Sequence, residues 1–207
     1  TGIWGVSFLI WLVPAALCTR SWRRAAPALV IAALALIASA IVEFPDEDSR
    51  GGVRVAAIQA PDSFRASRAT SKIKGQADIV VWPEHCLKWS NNRPARAARS
   101  NGVHLVANLR EKHPGRNPYN VACLYGPDGS LIGMQRKRRL FGREKFVFTP
   151  GTTTRTVRCG EITAGLPICF ETQFSGITRS LVRQGAEIIL VPVHDPESPN
   201  GLFNYLH

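Results

Sequence analysis

The chain has 207 residues, 26 Lys or Arg against 15 Asp or Glu, a formal net charge of +11, 45% hydrophobic residues and 20% charged ones. That length suits one α/β domain plus a short appendage, and the balance excludes a disordered or low-complexity protein. Five Cys, Gly and Pro without a period, and no heptads exclude disulfide-dense, collagen-like and coiled-coil classes.

Charge is spread unevenly. The first 42 residues carry only Arg20, Arg23 and Arg24, which leaves 23 basic against 15 acidic residues, a net of +8, from Glu43 onward. Residues 2–17 (GIWGVSFLIWLVPAAL) and 25–42 (AAPALVIAALALIASAIV) are uncharged runs of 16 and 18 residues, close to the ~20 that span a hydrocarbon core as helix. Neither run offers a polar face to water, and no signal-peptide flanks accompany them, so they predict two transmembrane helices in a hairpin over 1–42. The three Arg between them set the connecting loop on the cytoplasmic side. The acidic stretch EFPDEDSR then forms a linker over 43–51, leading to a domain over 52–207 outside the cytoplasm. A net of +8 there suits an anionic membrane surface; without a nucleic-acid motif, nucleic acid is not expected as a partner. The chain opens without an initiator Met and reads as a piece of a longer protein.

Residues 53–60 (VRVAAIQA), between Gly51-Gly52 and Pro61, predict a buried strand, and 63–75 one short basic helix. A second buried strand follows over 78–82 (DIVVW), stopped by Pro83, and a third over 103–109. Residues 120–125 and 131–136 predict a hairpin around Gly126-Pro127-Asp128-Gly129. A strand over 162–168 leads into Cys169, and Phe174, Ile177, Leu181 and Val182 have helical spacing up to a stop at Gly185. Residues 187–193 (EIILVPV) predict a last buried strand. The alternation defines an α/β class with helix-covered sheets, and no internal repeat is present.

Three short patterns carry chemistry. Cys169, in Ile168-Cys169-Phe170-Glu171, sits between a strand and a helix, where free backbone N–H groups lower a thiol pKa and supply oxyanion donors; a lone Cys there also reads as a buried structural thiol. Glu84, in Trp82-Pro83-Glu84-His85, follows a buried strand and can accept a proton if burial raises its pKa, or can be a solvated loop acid. Lys137 ends a strand inside a basic run that reads as a solvated face, or as an oxyanion-stabilising cation if buried. His85, His104, His113 and His194 lack metal-ligand spacing, so neither a metal nor a cofactor is expected. Cys86, Cys123 and Cys159 leave open whether two of them pair, and Asp195-Pro196-Glu197 reads as a solvated loop.

Taken together in chain order, VRVAAIQA, DIVVWPEH, KRRLFGREKFVFTPG and GLPICFE resemble the nitrilase, or carbon-nitrogen hydrolase, superfamily. Within it, the membrane runs resemble the apolipoprotein N-acyltransferase branch, while LFGREKF is more like the soluble amidases. The resemblance implies a nitrilase-like α-β-β-α sandwich, incomplete at its C-terminus, preceded by two transmembrane helices. It implies a triad of Glu84 as general base, Lys137 as the oxyanion-holding lysine and Cys169 as nucleophile. Glu144 would be a second carboxylate of the site, with Phe170, Glu171 and Trp82 in binding or support. The activity implied is transfer of a phospholipid acyl chain through a Cys169 thioester to the N-terminal amine of a lipoprotein. The setting implied is the extracytoplasmic, periplasmic side of a bacterial inner membrane. A membrane-anchored amidase and a non-catalytic module are the other readings. On this footing Lys137→Ala slows transfer and spares the fold.

Overall fold

The computed structural model describes residues 52–84, 87 and 91–194, and positions 26, 27, 30, 31, 33 and 34 nearer the N-terminus. The chain divides into two units, Thr1–Gly52 and Val53–His207. In the first, positions 26, 27, 30, 31, 33 and 34 are helical, and Val30, Ile31 and Leu34 expose 55, 52 and 59% of their surface. Among the described residues no helix is long and apolar enough to cross a membrane. Apart from those six positions, the two expected spans lie outside the described residues.

The second unit is built on two sheets. β1 (Val55–Ala57), β2 (Ile79–Val81), β3 (His104–Glu111), β4 (Tyr119–Tyr125) and β5 (Leu131–Arg136) form a five-stranded sheet in chain order. β1, β2 and β3 run parallel, while β4 and β5 are added antiparallel as a hairpin. Each parallel step needs a crossover, supplied by α1 (Ser63–Lys72) and α2 (Arg93–Asn101). Asp62 caps α1 by accepting from the Arg65 N–H at 2.8 Å. Pro94 stands in the first turn of α2, and Gly102, at φ 66°, ends that helix in the left-handed conformation. After a single turn, α3 (Glu144–Val147), the chain forms a second sheet from β6 (Thr156–Cys159), β7 (Ile162–Gly165) and β8 (Ile188–Ile189). Between β7 and β8 lie a 3-10 helix (Cys169–Gln173) and α4 (Ser175–Arg183).

Side chains alternate across a strand, so each strand of the first sheet serves two cores. Val80, Trp82, Leu105 and Ala107 face Ala66 of α1 and Ala97 and Ala98 of α2. Ile79, Val81, Val106, Ala122 and Leu124 face Cys159 and Ala164 of the second sheet and Leu166, Ile168 and Leu190 just beyond its strands. α4 closes the outer side with buried Leu181, whose side chain lies 2.8 Å from where a Cβ on Gly165 would stand; only glycine allows that approach. The layers are α-β-β-α, as the resemblance implies.

Several elements differ from the sequence reading, which has no counterpart of β6 or of the single turn α3. β1 is a half-exposed edge strand, with Val55 41% exposed, because it pairs with β2 alone among the described residues. β8 holds only two residues, both partly exposed, on a three-stranded sheet. α2 was not expected at all. Cys123 and Cys159 are buried free thiols rather than a bridged pair, and Cys86 lies outside the described residues.

Candidate active site

The apolar layer between the sheets turns polar at one end. Beyond Val106 on β3 the same face presents Asn108, and beyond Ala122 on β4 it presents Asn120; both are buried. β2 makes its last ladder bond at Trp82, whose N–H donates to the Val106 carbonyl at 2.9 Å. Pro83 has no N–H to continue the ladder, and Glu84 turns inward, 4% exposed. Lys137 follows β5 directly; its N–H donates to the Asn120 carbonyl and its own carbonyl accepts from Gly151, each at 2.8 Å. Those two bonds hold the lysine at the strand end, and its side chain is 1% exposed.

The lysine ammonium is shared between two acids. Lys137 Nζ donates to Glu84 Oε1 at 2.7 Å and lies 2.9 Å from Glu144 Oε2. Asn120 Nδ2 donates to Glu84 Oε1 and to Glu144 Oε1, both at 2.9 Å. The Asn120 carbonyl oxygen in turn accepts from Asn108 Nδ2 at 2.6 Å, which fixes which end of the amide faces the acids. Glu144 opens α3, and its Oε2 also accepts from the Phe141 N–H at 2.7 Å. Burial works to lower the Lys137 pKa, but the charge and hydrogen bonds of Glu84, then those of Glu144, more than offset it, and the pKa is raised.

Cys169 opens the 3-10 helix at φ 46°, the one non-glycine residue with positive φ among those described. Its N–H donates to the Pro192 carbonyl at 3.0 Å, tying the turn to the segment after β8. The expected thiol acidity is corrected here. Burial first, then the charge and hydrogen bond of Glu84, push the Cys169 pKa up to about 11, against smaller opposing effects of the His194 N–H and Lys137. The helix that begins at the cysteine is a short 3-10 turn, and α4 starts only at Ser175. The thiol therefore rests protonated beside a carboxylate that can take its proton.

Glu171, 1% exposed, links the nucleophile to the lysine. Its Oε2 accepts from the Ile168 N–H at 2.9 Å, and its Oε1 from the Arg138 and Arg139 N–H groups at 2.8 and 3.3 Å. Burial pushes its carboxyl pKa up, and the backbone donors work against that shift. The residues before Cys169 and after Lys137 are thus clamped by one buried carboxylate. Phe170 stacks between Phe141 and Phe174, at centroid distances of 4.7 and 5.2 Å. Trp82 contributes only at a distance: its indole N–H donates to Thr70 Oγ1 at 2.9 Å in the helix-side core, anchoring the strand end that carries Glu84. Glu84, Lys137, Cys169 and Glu144 are therefore brought together, with Glu171 and Phe170 alongside and Trp82 on the far face. Asn108, Asn120 and the His194 N–H were missed by sequence reasoning. For the two asparagines the signal was a polar amide inside an otherwise apolar buried strand. Residues 195–197 lie outside the described residues.

A two-sheet sandwich thus carries a buried acid and lysine, with a half-buried cysteine on the neighbouring turn, at one end of its inter-sheet layer, a set of groups suited to thioester chemistry. Residues 15–203 match the carbon-nitrogen hydrolase family, and the chain belongs to it. A nitrilase of Pyrococcus abyssi is 42% identical over 98 residues, 47% of this chain and 37% of its own. An (R)-stereoselective amidase of Pseudomonas sp is 35% identical over 159 residues, 67% of this chain and 57% of its own. The chain thus spans about two fifths to three fifths of the length of these curated relatives. The crystal structure of an amidase from Nesterenkonia sp. shares the fold, with a TM-score of 0.64 at 21% identity, over 77% of this chain and 73% of that one.

Proposed function

We propose that the protein is an amidase that hydrolyses a carbon–nitrogen bond through an acyl thioester on Cys169. The observation that carries this reading is the buried Glu84–Lys137 pair at 2.7 Å, with Glu144 on the same ammonium, beside the left-handed turn that presents Cys169. Glu84 takes the thiol proton as Sγ attacks the amide carbonyl. Lys137 keeps an N–H beyond those given to its two acids, and with the Phe170 N–H it holds the oxyanion of the tetrahedral intermediate. Collapse breaks the C–N bond, and the leaving amine departs with the proton stored on Glu84. Water then gives a proton to Glu84 and attacks the thioester, and the carboxylic acid leaves as the thiol is restored. Water as acceptor is supported by the amidase-like LFGREKF stretch and by relatives named as nitrilase and amidase.

A second reading keeps the thioester and changes both substrates. Here a phospholipid acyl chain passes to the N-terminal amine of a lipoprotein, at the periplasmic side of a bacterial inner membrane and against its anionic surface. It is favoured by the two apolar runs around the Arg loop and by Val30, Ile31 and Leu34, each more than half exposed on helical backbone. Membrane attachment would bring such an enzyme to both lipid substrates without drawing a chain into water.

Ammonia release from hexanamide, with an acyl mass on the protein that is absent in Cys169→Ala, is the expected result. Activity should fall at least ~10⁴-fold in that variant, since removal of a covalent nucleophile leaves only binding and oxyanion effects. A phospholipid-derived adduct discharged by a lipopeptide amine, without ammonia from amides, would replace the first reading by the second. An acyl adduct that survives in Cys169→Ala would sink both.

A further inference from the structure

Beside the nucleophile turn lies a cleft of about 460 Å³, walled by Arg138, Arg139, Lys145, Phe170 and Phe174. Its volume is in the range that holds a small molecule. The wall residues are chain neighbours of the reacting groups: Arg138 and Arg139 follow Lys137, Lys145 follows Glu144, and Phe170 follows Cys169. The Glu171 clamp on the Arg138 and Arg139 N–H groups holds the first two in register with the nucleophile turn.

Among the described residues none of Arg138, Arg139 and Lys145 forms an ion pair with a carboxylate. The Arg138 guanidinium donates to the neutral Thr154 hydroxyl at 2.7 Å, and that of Arg139 lies 5.3 Å from the centre of the Phe174 ring. The two cations that precede them in the chain are paired. Arg136 is paired with Glu111 at 2.6 Å, and Lys137 holds two carboxylates. The same wall carries Phe170 and Phe174, which continue the aromatic row that begins at Phe141. Two guanidinium groups and an ammonium in one cleft wall with aromatic rings suit a carboxylate or phosphate oxyanion carried on a short apolar spacer.

We infer that this cleft is a substrate subsite for an anionic group, separated by an apolar spacer from the carbonyl that Cys169 attacks. The inference deepens the thioester reading and rests on it only for the placement of the scissile carbonyl. Recognition of the anion itself is independent of whether water or an amine accepts the acyl group.

The test uses the full chain carrying Cys169→Ala, so that binding is read without turnover. Calorimetry compares adipamate, the monoamide of adipic acid, with neutral hexanamide at low and high salt. Adipamate should bind about tenfold more tightly or better, with the advantage shrinking at high salt and lost in a further Arg139→Gln, Lys145→Gln variant. Both side chains are exposed, and circular dichroism checks that the variant is folded. A parallel arm with dihexanoylphosphatidylglycerol separates the sources of the anion. Charge-dependent binding of that lipid in place of adipamate assigns the subsite to a headgroup phosphate. Equal binding of charged and neutral ligands by the folded protein, or no binding of any of them, overturns the subsite. Ammonia is measured separately with Cys169 intact. An anion preference without ammonia release would remove the hydrolase reading and leave the subsite standing.

Discussion

On the helix side of the five-stranded sheet, Val80, Trp82, Leu105 and Ala107 meet alanines of α1 and α2, and the Trp82 indole and Thr70 hydroxyl satisfy each other. On the inter-sheet side, toward one end of the sheet, Val106 gives way to Asn108 on β3 and Ala122 to Asn120 on the antiparallel β4, and Asn120 reaches two carboxylates beside a buried ammonium. The same strands carry both faces. The first holds the fold together by burying apolar area with no charge at stake. The second keeps two acids and one lysine out of water, an arrangement that lasts only while every partner is present. Stability and chemistry thus divide by face, and the strand backbone is what they share.

The largest expected effect removes the shared cation. Lys137→Ala leaves Glu84 and Glu144 buried against each other, and should cost about 3–5 kcal/mol in urea denaturation. It should also slow turnover about 10³-fold through the lost oxyanion donor. The sequence reading has this substitution spare the fold; the 1% exposure of the side chain reverses that expectation. On the opposite face, Leu105→Ala should cost about 2–5 kcal/mol by the same measurement, with kcat per folded molecule unchanged. A Leu105→Ala enzyme that is stable but slow would erase the division between faces. Asn120→Leu should cost about 1–3 kcal/mol by leaving both carboxylates short of a donor, and kcat/KM should fall about tenfold as Glu84 loses a fixed orientation.

The smallest effect is a pH slope. Burial raises the Cys123, Cys159 and Cys169 pKa values from 9.0 to about 12, 11 and 11, and for Cys169 the Glu84 charge adds to it. The folded chain therefore keeps these protons when the unfolded chain has begun to lose them. The resulting stability is fully present below pH ~9 and declines as pH rises toward 11 and beyond. Tm measured from neutral to alkaline pH should fall over that window, and less steeply in Cys159→Ala. A flat profile would mean that the thiols are not desolvated.

The strands β2 to β5 were legible as apolar runs bounded by turn residues and α4 by its apolar spacing, while α1 was legible only as a short basic stretch between strands. α2 was not. Its sequence RPARAARSN has no large apolar residue, and it packs through Ala97 and Ala98, whose small size suits close approach to the sheet but leaves no stripe to read. The candidate triad was legible as three short patterns in order, since each lies next to a strand end. What joins them was not. Asn120 and Asn108 look like poor strand residues until β3 and β4 are paired, and the Glu171 clamp spans 33 residues of chain. The acidity of Cys169 was misread for the same reason. A local turn argued for a lowered pKa, whereas burial and a carboxylate from another strand raise it.

The left-handed backbone at Cys169 has a consequence for how the position can change. A side chain there is held in a conformation that glycine adopts freely and other residues adopt at a cost of order 1–3 kcal/mol. Selection for a sturdier fold alone would drive position 169 toward glycine, and the substitution would delete the sulfur together with the strain. Among drifting copies of this chain, loss of the nucleophile would then be accompanied by a more comfortable backbone. A descendant that lost its reaction in this way could remain well folded, with the surrounding acids and lysine still in place.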